Sequence, residues 1–264
     1  MSDYPISLTM PEKIKLQSLR ILGIRVDRVD LEQTLRYVDQ FIHERRTHQI
    51  VVVNVAKVVK ALKDDYLRQI IEEADLCGAD GVPLVWVSHL KGKPIPGRVN
   101  GTDLMEKMVE LAARKGYRIF FFGAEELVVK KVVAIYQNLY PSLRVAGYRN
   151  GYFTPEEEVE IAREIGESKA DILFVAFGTP KKEHFIKNYK DIMKVPVIHG
   201  VGGSFDVVAG KTRRAPRWMQ NWGLEWLFRL LQEPRRMWKR YLVTNSLFVW
   251  LVLLELLGLK KFEG

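Results

Sequence analysis

Short runs of β-branched and aromatic residues alternate along this chain with stretches whose apolar positions recur every three or four. Ile50 to Val53 is one such run, and after Asn54 the residues Val55, Val58, Val59, Leu62, Tyr66 and Ile70 fall at helical spacing. A spacing near 3.6 buries one face of a helix, and a short continuous apolar run fits a strand covered on both faces, so this stretch predicts strand, tight turn, helix. Arg118 to Phe122 predicts another strand, with Gly123 as its turn and a helix from Glu125 to Tyr140 that Pro141 stops. "LRVAGYRNGYF" predicts a strand and a glycine-containing loop. Ile172 to Phe177 predicts a buried strand that runs through a Gly-Thr-Pro turn into a helix, and "VPVIHGVGGSFDVVAG" predicts a last strand and a Gly-rich loop. Pro83, Pro94 and Pro96, with Gly92 and Gly97, mark a loop between helical pieces. Buried strands alternating with amphipathic helices predict an α/β fold: a Rossmann-like, mostly parallel sheet flanked by helices.

Beyond Gly210 the pattern changes. Residues 211–240 hold nine basic side chains and two acidic ones (9 − 2 = +7), most of the chain's net +9, together with four of its six tryptophans, Trp218, Trp222, Trp226 and Trp238. We therefore expect an α/β domain over 1–210 and a helical Arg/Trp-rich appendage over 211–264. So localised a charge points to an anionic partner: nucleic acid, a phosphorylated ligand or an anionic membrane surface. The apolar run Leu247 to Leu254 is shorter than the roughly 20 residues a membrane span needs, and extending it to Leu259 takes in Glu255 and Gly258. It predicts a terminal helix that lies in the membrane interface or packs against another subunit. A nucleic-acid-binding α/β protein is the competing class, but that apolar tail has no use there and no RRM, KH or helix-turn-helix signature is present. The single cysteine, Cys77, excludes an intramolecular disulfide and a cysteine-based zinc cluster. Met1 to Leu16 has no apolar stretch of the kind a signal peptide carries, so none is expected.

Candidate chemistry gathers at strand ends. In "ADLCGADGVPLVW", Asp80 stands in a turn flanked by apolar residues. Partial desolvation there would raise its pKa and make it a better base; alternatively it caps a helix starting near Val82 or Pro83. Arg98 and Asn100 precede a helix that starts at Thr102 or Asp103, either an anion site at a helix N-terminus or a capped surface loop. "FFFGAEE" and "AFGTPKKEHF" are strand–glycine–helix junctions at Gly123 and Gly178, where backbone amides can hold a diphosphate, although neither is a GxGxxG or P-loop. Lys181, Lys182 and Glu183 open the second helix. Two lysines in a first turn oppose the helix dipole, a misfit that a bound phosphate relieves unless the lysines simply point into water. The five histidines are scattered and no DxD-type carboxylate cluster stands at a strand end, so no metal or other cofactor is expected.

In this order the blocks resemble the WecG/TagA/CpsF glycosyltransferases. The resemblance is carried by Asn54 in "VVVNVAK", "ADGVPLVW", "GRVNGTDL", "FFFGAEE", "AFGTPKKEHF" and, most specifically, "GVGGSFDVVAGKTRRAPRWMQNWGLEWLFRLLQEPRRMWKRYL", over roughly Arg20 to Leu242. It implies transfer of an N-acetylhexosamine-type sugar from a UDP donor to a polyprenyl-diphosphate-linked acceptor in bacterial cell-surface polysaccharide synthesis. The reaction would be inverting and metal-independent, at the cytoplasmic face of the membrane, on a peripheral protein that can be a homo-oligomer. Asp80 would be the base. Asn54 and Arg98 would line the pocket, with Asn100, Asp103, Gly123, Gly178, Lys182 and Glu183 as further substrate-binding positions. Arg229, Arg236 and Arg240 are the appendage cations for the departing diphosphate, on one face if a single helix carries them. Two positions depart from the family: Val52, where members often have Thr, and Lys182, where they often have Gln. An ammonium and an amide recognise different groups, so a charged or differently substituted donor sugar, or a non-catalytic UDP-sugar-binding homologue, stays open.

Overall fold

The computed structural model describes residues 16–262, with the side chains of Arg217, Asn221, Arg236, Met237, Lys239 and Arg240 outside that description. Six strands form one all-parallel sheet: β3 (His48–Val53), β4 (Leu76–Ala79), β5 (Arg118–Gly123), β6 (Arg144–Arg149), β7 (Ile172–Ala176) and β8 (Val197–Gly200), in the spatial order β4–β3–β8–β7–β5–β6. Helices cover both faces, as the continuous apolar runs required. Side chains alternate across the sheet: Phe121 and Phe174 enter the core on one face, Phe120, Phe122, Leu173 and Val175 the core on the other. Only the edge strand β6 keeps much solvent contact.

The first face is covered by α1 (Leu31–Glu44), α5 (Gly101–Lys115), α6 (Glu126–Leu139) and the short α9 (Ser204–Val208). The second carries α2 (Val55–Ala61), α3 (Asp65–Glu73), α4 (Val82–Leu90), α7 (Glu158–Glu167) and α8 (Lys181–Met193). Pro83, expected in a loop, stands in the first turn of α4, where its missing N–H costs no hydrogen bond. A two-stranded hairpin, β1 (Ser18–Ile21) and β2 (Ile24–Asp27), lies outside the main sheet. Its two-residue turn has positive φ at both Leu22 and Gly23 (52° and 74°), the primed geometry that matches strand twist. Buried Asp27 ties this hairpin to the sheet by accepting the Cys77 N–H at 2.7 Å while Arg25 holds it at 2.8 Å.

Because every strand of the main sheet is parallel, all carboxyl ends meet on one edge, where open α/β sheets bind ligands. The segment after Gly210 is helical: α10 (Arg217–Asn221), α11 (Glu225–Gln232) and α12 (Pro234–Leu256). The helical path breaks at Glu233 (φ −131°, ψ 61°), with Pro234 opening α12. Arg229 therefore stands on a different helix from Arg236 and Arg240, and the expected single face does not exist; the latter two side chains lie outside the described residues.

The terminal helix has two unlike faces. One face of α12 packs within this chain: Phe248, Leu251 and Val252 are buried in the cluster that holds Leu19, Ile21 and Leu22 of the hairpin region and Val58 and Val59 of α2. Glu255, which interrupts the apolar run, is an anchor, accepting from the Leu22 N–H at 3.3 Å and pairing with Lys91 at 2.8 Å. The opposite face leaves Val249, Trp250, Leu253 and Leu256 exposed. Among the described residues no helix is long and apolar enough to cross a membrane.

Candidate active site at the carboxyl edge of the sheet

Asp80 directly follows β4, and its backbone N–H donates to the Val53 carbonyl of the neighbouring strand at 2.7 Å. The neighbouring Ala79 carbonyl accepts from the Val99 N–H at 2.7 Å, which folds the 91–100 loop back over the strand end. Asn100 then serves twice. Its side-chain oxygen caps α5, accepting from the Thr102 and Asp103 N–H groups at 3.0 and 3.2 Å, and its amide donates to Asp80 Oδ1 at 3.1 Å. The cap requires that amide orientation, so the carboxylate is aimed by the same contact that starts the helix. Asp80 itself caps nothing: Gly81, with φ 126°, is the N-cap of α4 and no side chain fills that role. Of the two readings of the Asp-Gly turn, helix capping is thus removed.

Burial pushes the Asp80 carboxyl up to about 6; the Glu225 carboxylate adds to the rise, while Arg229, Arg98 and Lys57 oppose it. Glu225 belongs to α11, so the appendage reaches the mouth of the site. Gly223 (φ 70°) permits this approach, since a Cβ there would come within 2.8 Å of Val82 at the start of α4. Further links fasten the appendage: Arg98 to Glu225 at 2.8 Å, Lys211 to Glu125 at 2.7 Å, and Arg214 to Asp103 and, at 3.7 Å, to Glu106. Arg98 thus carries a protein carboxylate where a ligand phosphate was expected. Asp103, expected to bind substrate, pairs with Arg214.

On the other side of the crevice lies a buried charge cluster. Lys57 of α2 and Lys182 of α8 both reach Glu183 Oε1, at 2.9 and 3.0 Å, and the Thr179 hydroxyl donates to the same oxygen at 3.1 Å. Burial alone would raise the Glu183 carboxyl, but Lys57 and Lys182 overcome it and hold it down to about 2. Lys182 also donates to Thr179 Oγ1 at 2.7 Å and lies across Gly200 at the end of β8. So its ammonium is met from within the protein. Lys181 is exposed, and its ammonium sits 3.9 Å from the centre of the Phe153 ring. His199 on β8 is fully buried and burial lowers its pKa to about 4, which keeps it neutral beside two ammonium groups.

Asn54 caps α2 through its side-chain oxygen, which accepts from the Lys57 N–H at 3.0 Å, so its amide N–H₂ is what it can offer a ligand. Arg229 is exposed, yet near enough for its charge to act on Asp80. Gly178 is exposed with open space around it in the turn after β7. Gly123 has a packing reason for being glycine: a Cβ would meet the Ala176 carbonyl oxygen at 2.6 Å. It lies four strand positions from β4, roughly 19 Å at the usual spacing. Lys57, Glu225, Arg214 and His199 were not picked out by sequence. Lys57 left one sign, a cation in the first turn of a helix on the same face as buried Ala61. Among the described residues no three His, Cys, Asp or Glu side chains gather to hold a metal.

A desolvated carboxylate beside arginines, at the ligand-binding edge of a parallel sheet, is equipped to take a proton from a hydroxyl next to an anionic leaving group. Sequence comparison agrees with that chemistry. An N-acetylglucosaminyldiphosphoundecaprenol N-acetyl-β-D-mannosaminyltransferase of Bacillus subtilis (strain 168) is 33% identical over 228 residues, 86% of this chain and 88% of that enzyme. The enzyme of the same name from Bacillus spizizenii (strain ATCC 23059 / NRRL B-14472 / W23) is 36% identical over 193 residues, 73% and 74% of the two chains. The profile of the glycosyl transferase WecG/TagA/CpsF family matches residues 19–262, nearly the whole described chain, and the protein belongs to that family.

Proposed function

We propose that the chain transfers an N-acetylhexosamine-type sugar, with inversion, from a UDP donor to a polyprenyl-diphosphate-linked acceptor at a membrane surface. The observation that carries the mechanism is Asp80: a carboxylate raised to about 6, aimed by Asn100, on the sheet edge where Arg98 and Arg229 converge. The relatives' names supply the substrate class, a diphosphoundecaprenol-linked N-acetylglucosamine as acceptor and a β-linked product. Inversion of an α-linked nucleotide sugar gives a β product.

In the step we propose, Asp80 removes the acceptor hydroxyl proton as that oxygen bonds to the anomeric carbon. The bond to the UDP phosphate oxygen breaks and its electron pair leaves with UDP. Charge gathers on the departing diphosphate, and Arg98 and Arg229 are the cations at hand. For Arg98 to serve, its link to Glu225 must open, so the appendage shifts when donor binds. The exposed Trp218, Trp222, Trp226 and Trp238 and the basic residues between them suit the headgroup layer of an anionic membrane, where the acceptor's diphosphate lies.

Lys182 bears on the donor. It is buried and its charge is met by Glu183 within the protein. That leaves a neutral N-acetylhexosamine as the expected donor. The test is a panel of UDP-sugars, neutral and acidic, with a soluble lipid-diphosphate acceptor analogue, read by UDP release. Release with a neutral N-acetylhexosamine donor is expected; no release with any donor from folded protein overturns the reading in favour of a non-catalytic UDP-sugar binder.

A further inference from the structure

At the far end of α2 from the crevice lies a cavity of about 560 Å³, lined by Leu22, Val59, Leu62, Leu247, Leu251 and Phe262 with four basic side chains, Lys63, Arg68, Lys260 and Lys261. It is separate from the active site. Asn54 caps the crevice end of α2, Leu62 and Lys63 follow its other end, and the seven-residue helix between them spans about 10 Å. The volume falls in the roughly 300–1,000 Å³ range of small-ligand clefts.

Its chemistry is two-sided. The floor is hydrocarbon, supplied by the hairpin turn, α2 and the buried face of α12. The rim carries four positive charges and no acid. The acids nearest in sequence, Asp64 and Asp65, do not line it, and Asp64 is occupied capping α3 through the Leu67 N–H at 2.9 Å. Among the described residues none of the four cations forms an ion pair; Lys260 only stands over the Phe262 ring, 5.1 Å from its centre. Four like charges around an apolar floor repel one another unless an anion sits among them. A free anion would satisfy the rim and leave the floor wet. A neutral apolar ligand would do the reverse.

We propose that this cavity binds one anionic phospholipid, its phosphate held by Arg68, Lys63, Lys260 and Lys261 and its first acyl carbons laid along Leu62, Leu247 and Leu251. The place suits the ligand. The helix that forms the cavity wall also exposes Val249, Trp250 and Leu253 on the face turned away from its packed side, a second apolar surface suited to the membrane interface. A single bound lipid would fix the orientation of α12, and through it the position of α11 over Asp80. The proposal shares with the proposed function only the premise that the chain works at a membrane surface.

The experiment is a calorimetric titration of the full chain with dioctanoyl phosphatidylglycerol below its micelle threshold, beside dioctanoyl phosphatidylcholine, inorganic phosphate and farnesyl diphosphate. One phosphatidylglycerol per chain is expected, bound at least tenfold more tightly than phosphatidylcholine or phosphate. Lys261→Glu, on an exposed tail residue with no packing role, should weaken it about fivefold, and Arg68→Glu with Lys261→Glu by more than tenfold. UDP release with a soluble acceptor should not change in either variant, which separates this site from the reaction. Equal binding of phosphatidylcholine or phosphate, or no loss in the variants, overturns the proposal. Tighter binding of farnesyl diphosphate, lost in the same variants, overturns it in favour of the acceptor's own lipid.

Discussion

Asp80 and Glu183 are two carboxylates on the same edge of one sheet, the first half-buried and the second buried, and the protein drives them in opposite directions. Asp80 rises to about 6 and Glu183 falls to about 2. Burial raises both. The difference lies in how closely cations approach. Glu183 receives two ammonium groups at 2.9 and 3.0 Å, whereas Asp80 receives one neutral amide at 3.1 Å and feels its arginines at longer range. Glu225 sharpens the contrast by occupying Arg98 and adding a negative charge of its own. In the proposed reaction one acid is thereby a base held ready near neutrality, while the other stays ionised as the counterion of two lysines. When environments push paired titratable groups apart in this way, the roles can be assigned from the environments.

The largest expected effect is on turnover. Asp80→Asn should lower kcat by about 10²–10⁴-fold, the usual contribution of a general base. Stability should hold or increase. A carboxyl raised from 3.8 to about 6 in the folded state stabilises the fold below pH 3.8, and that contribution is lost as pH rises through 6. Removing the charge at neutral pH therefore returns at most ~3 kcal/mol. Kinetics and thermal melting on one preparation check both halves; a variant that is inactive because it melts early would assign Asp80 to structure.

Glu183→Gln should behave in the opposite way. Two buried ammonium groups would lose their shared carboxylate, and breaking a buried ion cluster from one side costs about 3–5 kcal/mol. The midpoint of urea unfolding is the measurement, and an unchanged midpoint would mean that Lys57 and Lys182 find another arrangement.

The fold was legible where burial on both faces made strands continuous, as in Ile50–Val53 and Ile172–Ala176, and where Gly or Pro ended a helix. The site was legible only in part. Asp80, Asn100 and Arg98 stand at junctions that local pattern marks, and the structure brings them together. Lys57 was hidden because a lysine in an amphipathic helix looks solvated until its partner, 126 positions on at Glu183, is known. Glu225 and Arg214 were hidden for the same reason: their meaning depends on where the appendage docks, and no local period encodes that. The hairpin at Leu22–Gly23 escaped because a leucine at positive φ is not a turn signal. The packing of one face of α12 on the hairpin region was not legible, because an apolar run states that a surface must be covered without stating by what.

The two carboxylates should also separate along the pH axis. Asp80 gains its proton as pH falls through about 6, so kcat should drop with a one-proton limb there. Glu183 is depressed, so its stabilisation is complete above its ordinary 4.5 and is lost only as pH falls towards 2. Between pH 7 and 5 the loss of turnover should therefore be reversible and unaccompanied by any change in circular dichroism. An acid limb that coincides with unfolding would merge the two roles that the structure keeps apart.

The smallest effect tests the cause of the contrast. The Glu225 carboxylate helps to lift Asp80, and it also engages Arg98 at 2.8 Å. Glu225→Gln removes the repulsion and frees Arg98 to act on Asp80, and both changes lower the Asp80 pKa. The acid limb of kcat should move down by less than one unit, since burial, the larger cause, is untouched. The same change frees Arg98 for the donor diphosphate without the link to Glu225 having to break, so KM for the UDP-sugar should fall a few-fold. A limb that moves while KM stays constant would place Arg98 away from the donor. A limb that stays fixed while KM falls would mean that Glu225 gates the arginine and that desolvation alone sets the base.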